Sequence, residues 1–295
     1  NKSINKILIF LFTITMIDFR KNKSRLIIIY MRENISNFEK IGNYIADEAR
    51  TISLKYFKKK LKVISKKKKI FDPVTIADLN VQKRINKIIK KYFPEHEILG
   101  EEASNKKKSD YQWCIDPIDG TKSFIQGFPI WGTLISLSKK KEIILGIADI
   151  PVLDERYIGH SKVSYKIVNG KKTRLKVRNT TSLKKSILNT TSPYLFANKK
   201  DQKKFEKLVE KTQTVRLGGD CYSYCLLADG HIDIVIESGL KPWDIRALEP
   251  IIINAGGELK TWEGKKILNG GRIIATANLE LNKKVINVMN KKKPS

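Results

Sequence analysis

Trp113-Cys114-Ile115-Asp116-Pro117-Ile118-Asp119-Gly120-Thr121 is an apolar, strand-like run over 113–115 that ends in two carboxylates three residues apart, then a glycine and a hydroxyl. A proline-fixed turn at that spacing aims Asp116 and Asp119 at one point and frees the Ile118 carbonyl to face the same way. Three oxygens converging on one spot make half of a magnesium site. Asp-Pro and Asp-Gly are also common turn formers, so the stretch alone reads equally as a loop.

Two distant segments can complete the site. Ile98-Leu99, a short apolar run, leads into Gly100-Glu101-Glu102, carboxylates at the end of an expected strand. Lys241-Pro242-Trp243-Asp244 precedes a long apolar-periodic stretch, which puts Asp244 at or near a helix N-terminus. Read singly, Glu101-Glu102 is a solvated turn and Asp244 a helix cap. Magnesium takes oxygen ligands and is held by a few carboxylates plus substrate phosphate. The absence of HxxEH-type or CxxC spacing argues against zinc. Gly120-Thr121 opens a short helical turn over 122–125 whose free amides suit a phosphate.

A fourth segment, Asp72-Pro73-Val74-Thr75-Ile76-Ala77-Asp78, completes an ordered set. Together the segments at 72–78, 100–102, 116–121 and 243–257 resemble the inositol monophosphatase-like family of magnesium-dependent sugar-phosphate phosphatases, over roughly residues 38–289. The resemblance implies an α/β (α+β) sugar-phosphatase fold of stacked αβαβα layers, with the metal site where two subdomains meet. It implies that Glu101, Asp116 and the Ile118 carbonyl hold one Mg2+ and that Asp116, Asp119 and Asp244 hold a second, with a weaker third around Glu101. Such a pair polarises the phosphoryl oxygens, steadies the leaving alkoxide and lowers the pKa of a bound water. Thr121 and Asp78, helped by Glu101, would orient and deprotonate that water.

Two further stretches bear on the substrate. Residues 124–135, containing Trp131-Gly132-Thr133-Leu134-Ile135, and residues 216–224, containing Gly219-Asp220-Cys221-Tyr222, are similar to the histidinol-phosphatase branch of the family. Histidinol phosphate carries an ammonium and an imidazole, so its pocket gains from a carboxylate. Asp220 is placed to supply it, Glu237 is a second candidate contact, and Arg216 is a candidate for the phosphate or for orienting Asp220. Gly120, Thr121 and Asp244 complete the expected substrate contacts. Asp220 reads equally as the N-cap of a helix over 221–228, and Trp131 as core. Another small phosphomonoester, such as myo-inositol monophosphate or a nucleotide phosphate, is the alternative substrate. A basic RNA-binding protein is the alternative of another class.

The chain has 295 residues, enough for a large core at 41% hydrophobic content. Its 58 Lys and Arg against 30 Asp and Glu would ordinarily suggest a nucleic acid or an anionic membrane. The lysines are scattered, as at 58–60, 66–69 and 106–108, in a chain also rich in Ile and Asn, which reads as compositional bias rather than a nucleic-acid or membrane surface. Cys114, Cys221 and Cys225 read as buried free thiols of a reducing, cytoplasmic compartment. The family often forms homodimers.

Residues 1–30 form an extension outside the resemblance, with an apolar run over 7–17 that lacks a signal-peptide cleavage site, and Met31 is the expected natural start. Beyond it, 31–180 reads as an α+β subdomain with most metal ligands and 181–295 as a smaller α/β subdomain. Helical spacing is expected over 38–52, 81–92, 203–211, 221–228, 245–255 and 281–289. Strands are expected between them, including a hairpin through Asn169-Gly170 that joins 165–168 to 174–177.

Overall fold

The structure, a computed structural model, describes residues 34–65, 73–196, 198–267 and 269–290. Asp72, the lysines at 66–69, the apolar run over 7–17 and Met31 lie outside the described residues. Helix α1 (Ile35–Tyr56) is opened by Asn34, whose Oδ1 accepts the Ser36 N–H at 2.9 Å. A short ladder of β1 (Val63–Ser65) and β2 (Pro73–Thr75), which the sequence pattern does not predict, leads into α2 (Ile76–Tyr92). Pro94 follows that helix closely, as expected of a stop.

Seven strands then form one sheet in chain order: β3 (Glu97–Gly100), β4 (Tyr111–Asp119), β5 (Gly132–Lys139), β6 (Glu142–Ile150), β7 (Glu155–His160), β8 (Val163–Val168) and β9 (Lys171–Arg174). Only the β3–β4 pair is parallel. Short turns suffice because antiparallel neighbours reverse the chain in two residues. Asn169-Gly170 is such a turn, with φ of 48° and 74°, so β9 begins at Lys171 rather than at the expected Arg174. Between β4 and β5 lies the short helix α3 (Thr121–Gln126).

The second half alternates strands and helices: β10 (Ile187–Thr190), α4 (Lys199–Val209), β11 (Thr214–Leu217), α5 (Asp220–Ala228), β12 (Ile234–Leu240), α6 (Pro242–Ile245), α7 (Leu248–Asn254), β13 (Glu258–Thr261), β14 (Gly271–Thr276) and α8 (Leu279–Asn290). Its five strands order as β11-β10-β12-β14-β13, with β10 parallel to both its neighbours and β14 antiparallel to both of its own. The helix expected over 245–255 is two pieces, because Pro250 has no N–H to give and sits in the first turn of α7, where none is needed.

Packing shows the layers. One apolar cluster joins Leu134, Ala148 and Tyr157 of the large sheet to Cys221, Tyr224 and Leu227 of α5, Leu248 and Ile251 of α7, and Val235 and Ile273 of the small sheet. Helices α5 and α7 are therefore the filling between the sheets. On the far side of the small sheet, Phe205 and Leu208 of α4 and Leu281, Val285 and Met289 of α8 bury against Leu188, Ile234 and Ile274. On the far side of the large sheet, Asp149 of β6, fully buried, accepts bonds from Arg50 of α1 at 2.8 and 3.0 Å and from Arg156 of β7 at 2.8 Å. Its charge is paired on both oxygens, the condition under which a buried carboxylate is tolerated. The order is αβαβα.

One cross-strand pair fixes the central layer. Gly146 of β6 stands opposite Gly159 of β7, and a Cβ on either would come within 2.0 Å of the Ala247 carbonyl oxygen or 2.4 Å of the Ile251 nitrogen. The backbone of α7 and the residue before it thus lies directly on the backbone of the sheet. Among the described residues no helix is long and apolar enough to cross a membrane.

Candidate active site

Successive residues of a strand point to opposite faces, so two carboxylates three apart should be separated by the sheet. Strand β4 avoids this with a bulge. Asp116 pairs with Leu134 and Asp119 with Gly132, so two residues of β4, Pro117 and Ile118, oppose only Thr133 of β5. The expected turn after Ile115 is therefore a bulge inside one strand that runs on to Asp119. Proline fits there because a bulge leaves a ladder position unpaired. Thr133 Oγ1 donates to the Pro117 carbonyl at 2.9 Å, and Asp116 Oδ1 accepts the Ile118 N–H at 3.0 Å.

The third carboxylate comes from the short helix that follows β12 of the other sheet. Asp244 occupies the third position of α6, and its Oδ2 accepts the Lys241 N–H at 2.6 Å. It is not the N-cap, although it closes the same turn. Oxygens of Asp116, Asp119 and Asp244 all lie within 4.8 Å of one another. Glu101 faces the same cavity, held there by its own N–H, which donates to the Ile115 carbonyl at 3.1 Å beside Asp116. Ile118 also lines that cavity.

Electrostatics tests whether a cation fits. Burial, then the charges of Glu101, Asp119 and Asp244, holds the Asp116 carboxyl well above its usual range. Burial, then Asp220 and Asp244, does the same for Asp119. Asp244 is pushed up to about 7 by burial, with the Glu101 charge adding to it and the Lys241 backbone bond opposing it. Among the described residues no Lys or Arg forms an ion pair with these three. A cluster of oxygen donors that repel one another and lack a basic partner suits a hard divalent cation.

Behind the bulge, the Thr121 hydroxyl donates to the Ile118 carbonyl at 3.1 Å and lies 3.4 Å from Asp78 Oδ1. Asp78 Oδ2 accepts the hydroxyl of Thr75 at 2.6 Å and its N–H at 2.8 Å, while Thr75 Oγ1 accepts the Ala77 N–H at 3.1 Å. This is a capping box at the start of α2, and burial raises the Asp78 carboxyl above its usual value. In the sequence Thr75 is only part of a motif; the T-x-x-D spacing is the signal that gives it a role.

The remaining candidates separate. Asp220 is the first residue of α5, with φ 43° and no capping bond; Gly219 precedes it as the N-cap. Its Oδ2 instead accepts the Ser123 hydroxyl at 2.6 Å from α3, across the cavity wall. Burial raises its carboxyl, and Ser123 and Lys122 hold it down. Gly120 lies against the same carboxylate, since a Cβ there would stand 2.8 Å from Asp220 Oδ2. Arg216 is exposed on β11 at the cavity wall and makes no bond to Asp220. Glu237 is 2% exposed on β12, and its Oε1 accepts the Thr191 N–H at 2.6 Å; Thr191, not Glu237, lines the cavity. Burial pushes the Glu237 carboxyl up to about 7, against the Thr191 bond. Trp131 is wholly buried against Phe57 and Phe124 and belongs to the core.

Comparisons follow the same outline. The model of the inositol monophosphatase family matches residues 34–293. The chain is 42% identical over 242 residues to the chloroplastic bifunctional phosphatase IMPL2 of Arabidopsis thaliana, covering 79% of this chain and 67% of that one. It is 33% identical over 210 residues to the histidinol-phosphatase of Mycobacterium tuberculosis, covering 70% and 81% respectively. The solved inositol monophosphatase of Zymomonas mobilis superposes with a TM-score of 0.77 at 31% identity, over 88% of this chain and all of that one. A likeness that runs through nearly the whole described chain, in sequence and in fold alike, makes this protein a member of the inositol monophosphatase family and so a phosphatase of a metal-dependent kind.

Proposed function

We propose that this phosphatase is Mg2+-dependent and hydrolyses L-histidinol phosphate to L-histidinol and phosphate in histidine biosynthesis. The observation that carries the reading is Asp220: a carboxylate on the cavity wall, beyond the three that cluster, tethered by Ser123 and in reach of a substrate's cationic end. A neutral polyol offers that charge nothing. The name of the Mycobacterium relative, a histidinol-phosphatase, supports the same assignment.

Glu101, Asp116, the Ile118 carbonyl, Asp119 and Asp244 would hold two Mg2+ ions, with a weaker third around Glu101. Bound there, the ions supply charge for the phosphoryl oxygens and a water of lowered pKa. The chain does the rest. Amides after Gly120, at the start of α3, face the phosphoryl group, and Thr121 orients the attacking water. Asp78 has one oxygen tied by Thr75 and the other turned toward Thr121, and its raised proton affinity makes it the better base. Glu101 assists. Arg216 meets the outer phosphate oxygens or the substrate's rim, and Glu237 acts on the substrate through Thr191.

The same reading keeps 31–180 and 181–295 as two subdomains that share the site. It places the enzyme as a homodimer in a reducing compartment such as the cytoplasm, where the buried free thiols of Cys114, Cys221 and Cys225 persist. A polyanion binder would not gather five acids at one cavity, which disfavours the RNA-binding alternative.

Phosphate release from histidinol phosphate, inositol phosphate and 3′-phosphoadenosine phosphate, with and without Mg2+, tests the proposal. Histidinol phosphate should lead, and Asp220→Asn should depress it far more than inositol phosphate. Equal loss on both removes Asp220 from specificity, and preference for inositol phosphate overturns the substrate.

A further inference from the structure

The carboxylates line a cavity of about 1200 Å³, far more than a phosphoryl group and its cations fill. Another part of its lining differs in kind. Tyr194 is 88% exposed, Phe128 55%, Leu217 54% and Leu195 43%, and all four line this same cavity. On a chain with 58 Lys and Arg, an apolar mouth is a departure from the prevailing surface.

Tyr194 is not displayed by a slack loop. At one end of its segment the Thr191 N–H is fixed on the buried Glu237, and at the other Phe196 is buried against Phe205 and Trp262. Between them, Ser192 Oγ accepts the Tyr194 N–H at 3.3 Å and caps the single turn Pro193–Leu195. Leu217 joins the same wall, because the next residue, Gly218, donates its N–H to the Thr190 and Thr191 carbonyls at 3.0 Å. The fold thus holds an aromatic ring and two leucines in water in a fixed arrangement. Covering such a ring with another flat face returns hydrophobic and stacking free energy, at little cost in ordering.

We infer that this mouth is a subsite for a flat ring carried by the alcohol part of the ester, with Tyr194 as its platform and Phe128 and Leu217 as further apolar lining of the same cavity. The substrate class is then phosphomonoesters of ring-bearing alcohols, and a protonated heterocycle gains a cation–π contribution as well. The inference rests on the phosphatase activity and sharpens the reading given above, but it does not require histidinol phosphate itself.

The test compares kcat/KM for histidinol phosphate, 3-phenylpropyl phosphate, whose ring stands three carbons from the ester oxygen as in histidinol phosphate, and the ringless glycerol 1-phosphate on the Mg2+-loaded full chain. Tyr194→Ala should lower the ring-to-ringless ratio about tenfold for both ring esters, and Tyr194→Phe should keep it. An unmoved ratio overturns the subsite. So does dissociation of Tyr194→Ala oligomers in light scattering with the ratio intact, which would make the mouth an interface between copies. Failure to hydrolyse histidinol phosphate, with a Tyr194-dependent ratio on 3-phenylpropyl phosphate, sinks the histidinol reading and upholds the subsite.

Discussion

Asp119 Oδ2 accepts the backbone N–H of Cys221 at 2.8 Å, a bond that spans 102 positions and ties the end of β4 to the first turn of α5. One carboxylate thereby serves twice, as a member of the acidic cluster and as an acceptor between the two halves. Asp119→Asn keeps an acceptor oxygen but removes the charge. Turnover should fall by about 10²-fold or more, while the metal-free protein melts no lower, because repulsion with Asp220 and Asp244 is relieved. Asp119→Ala should lose turnover and also about 1 kcal/mol of stability, read from urea midpoints.

Gly120 has φ 78°, a left-handed conformation, and lies against Asp220. Gly120→Ala should cost about 1–2 kcal/mol in urea unfolding through backbone strain. It should also push Asp220 off Ser123, so that the loss of kcat/KM is greater for a cationic substrate than for a neutral one.

Gly146→Ala tests the contact between α7 and the large sheet. The added methyl meets a main-chain carbonyl, which cannot swing aside as a side chain can, so the helix must lift. A loss of roughly 3 kcal/mol or more is expected, with Mg2+ affinity weakened because Asp244 lies just upstream of that helix.

Glu237 and Asp244 set a pH dependence for the metal-free protein. Both carboxyls rise to about 7 in the fold, from ordinary values of 4.5 and 3.8. Between those limits the folded state binds more protons than the unfolded one, so stability falls as pH rises and levels off above about 7. Glu237 alone accounts for a drop on the order of 3 kcal/mol, and Glu237→Gln should flatten its share. Melting temperatures from pH 4.5 to 8 in chelator check this, and Mg2+ should restore more at pH 8 than at pH 5 by neutralising Asp244 and its neighbours. A profile that rises with pH would contradict the assignment.

Much of this was legible because the signals are local. Periodic apolar residues marked α2 and α5, Asn169-Gly170 marked a hairpin, and Asp116, Asp119, Glu101 and Asp244 stood at the ends of apolar runs. What escaped depends on contacts between distant segments. The bulge at Pro117-Ile118 is defined by its opposite strand, so no window on β4 alone distinguishes it from a turn. Glu237 looked like a substrate contact by its distance from Asp244, yet its place on an inner strand buries it under Thr191. Asp220 carries both signatures, of a cap and of a pocket acid, and only the position of Ser123 on α3 separates them. The β1–β2 ladder is three residues a side, and the apolar Val63 and Ile64 of β1 are not buried, so it is too short to stand out by pattern.

The bulge in β4 makes the site sensitive to length more than to identity. At position 118 the main chain would supply the oxygen, so another apolar side chain there should serve. If β5 carried one more residue opposite this stretch, the two strands would pair one to one, and Asp119, three places from Asp116, would turn to the opposite face of the sheet. The acidic cluster is written into this protein partly as a parity, a mismatch of one unit between two strands, and a lineage that evened the count by an insertion in β5 would lose a carboxylate from the cluster while every aspartate remained in its sequence.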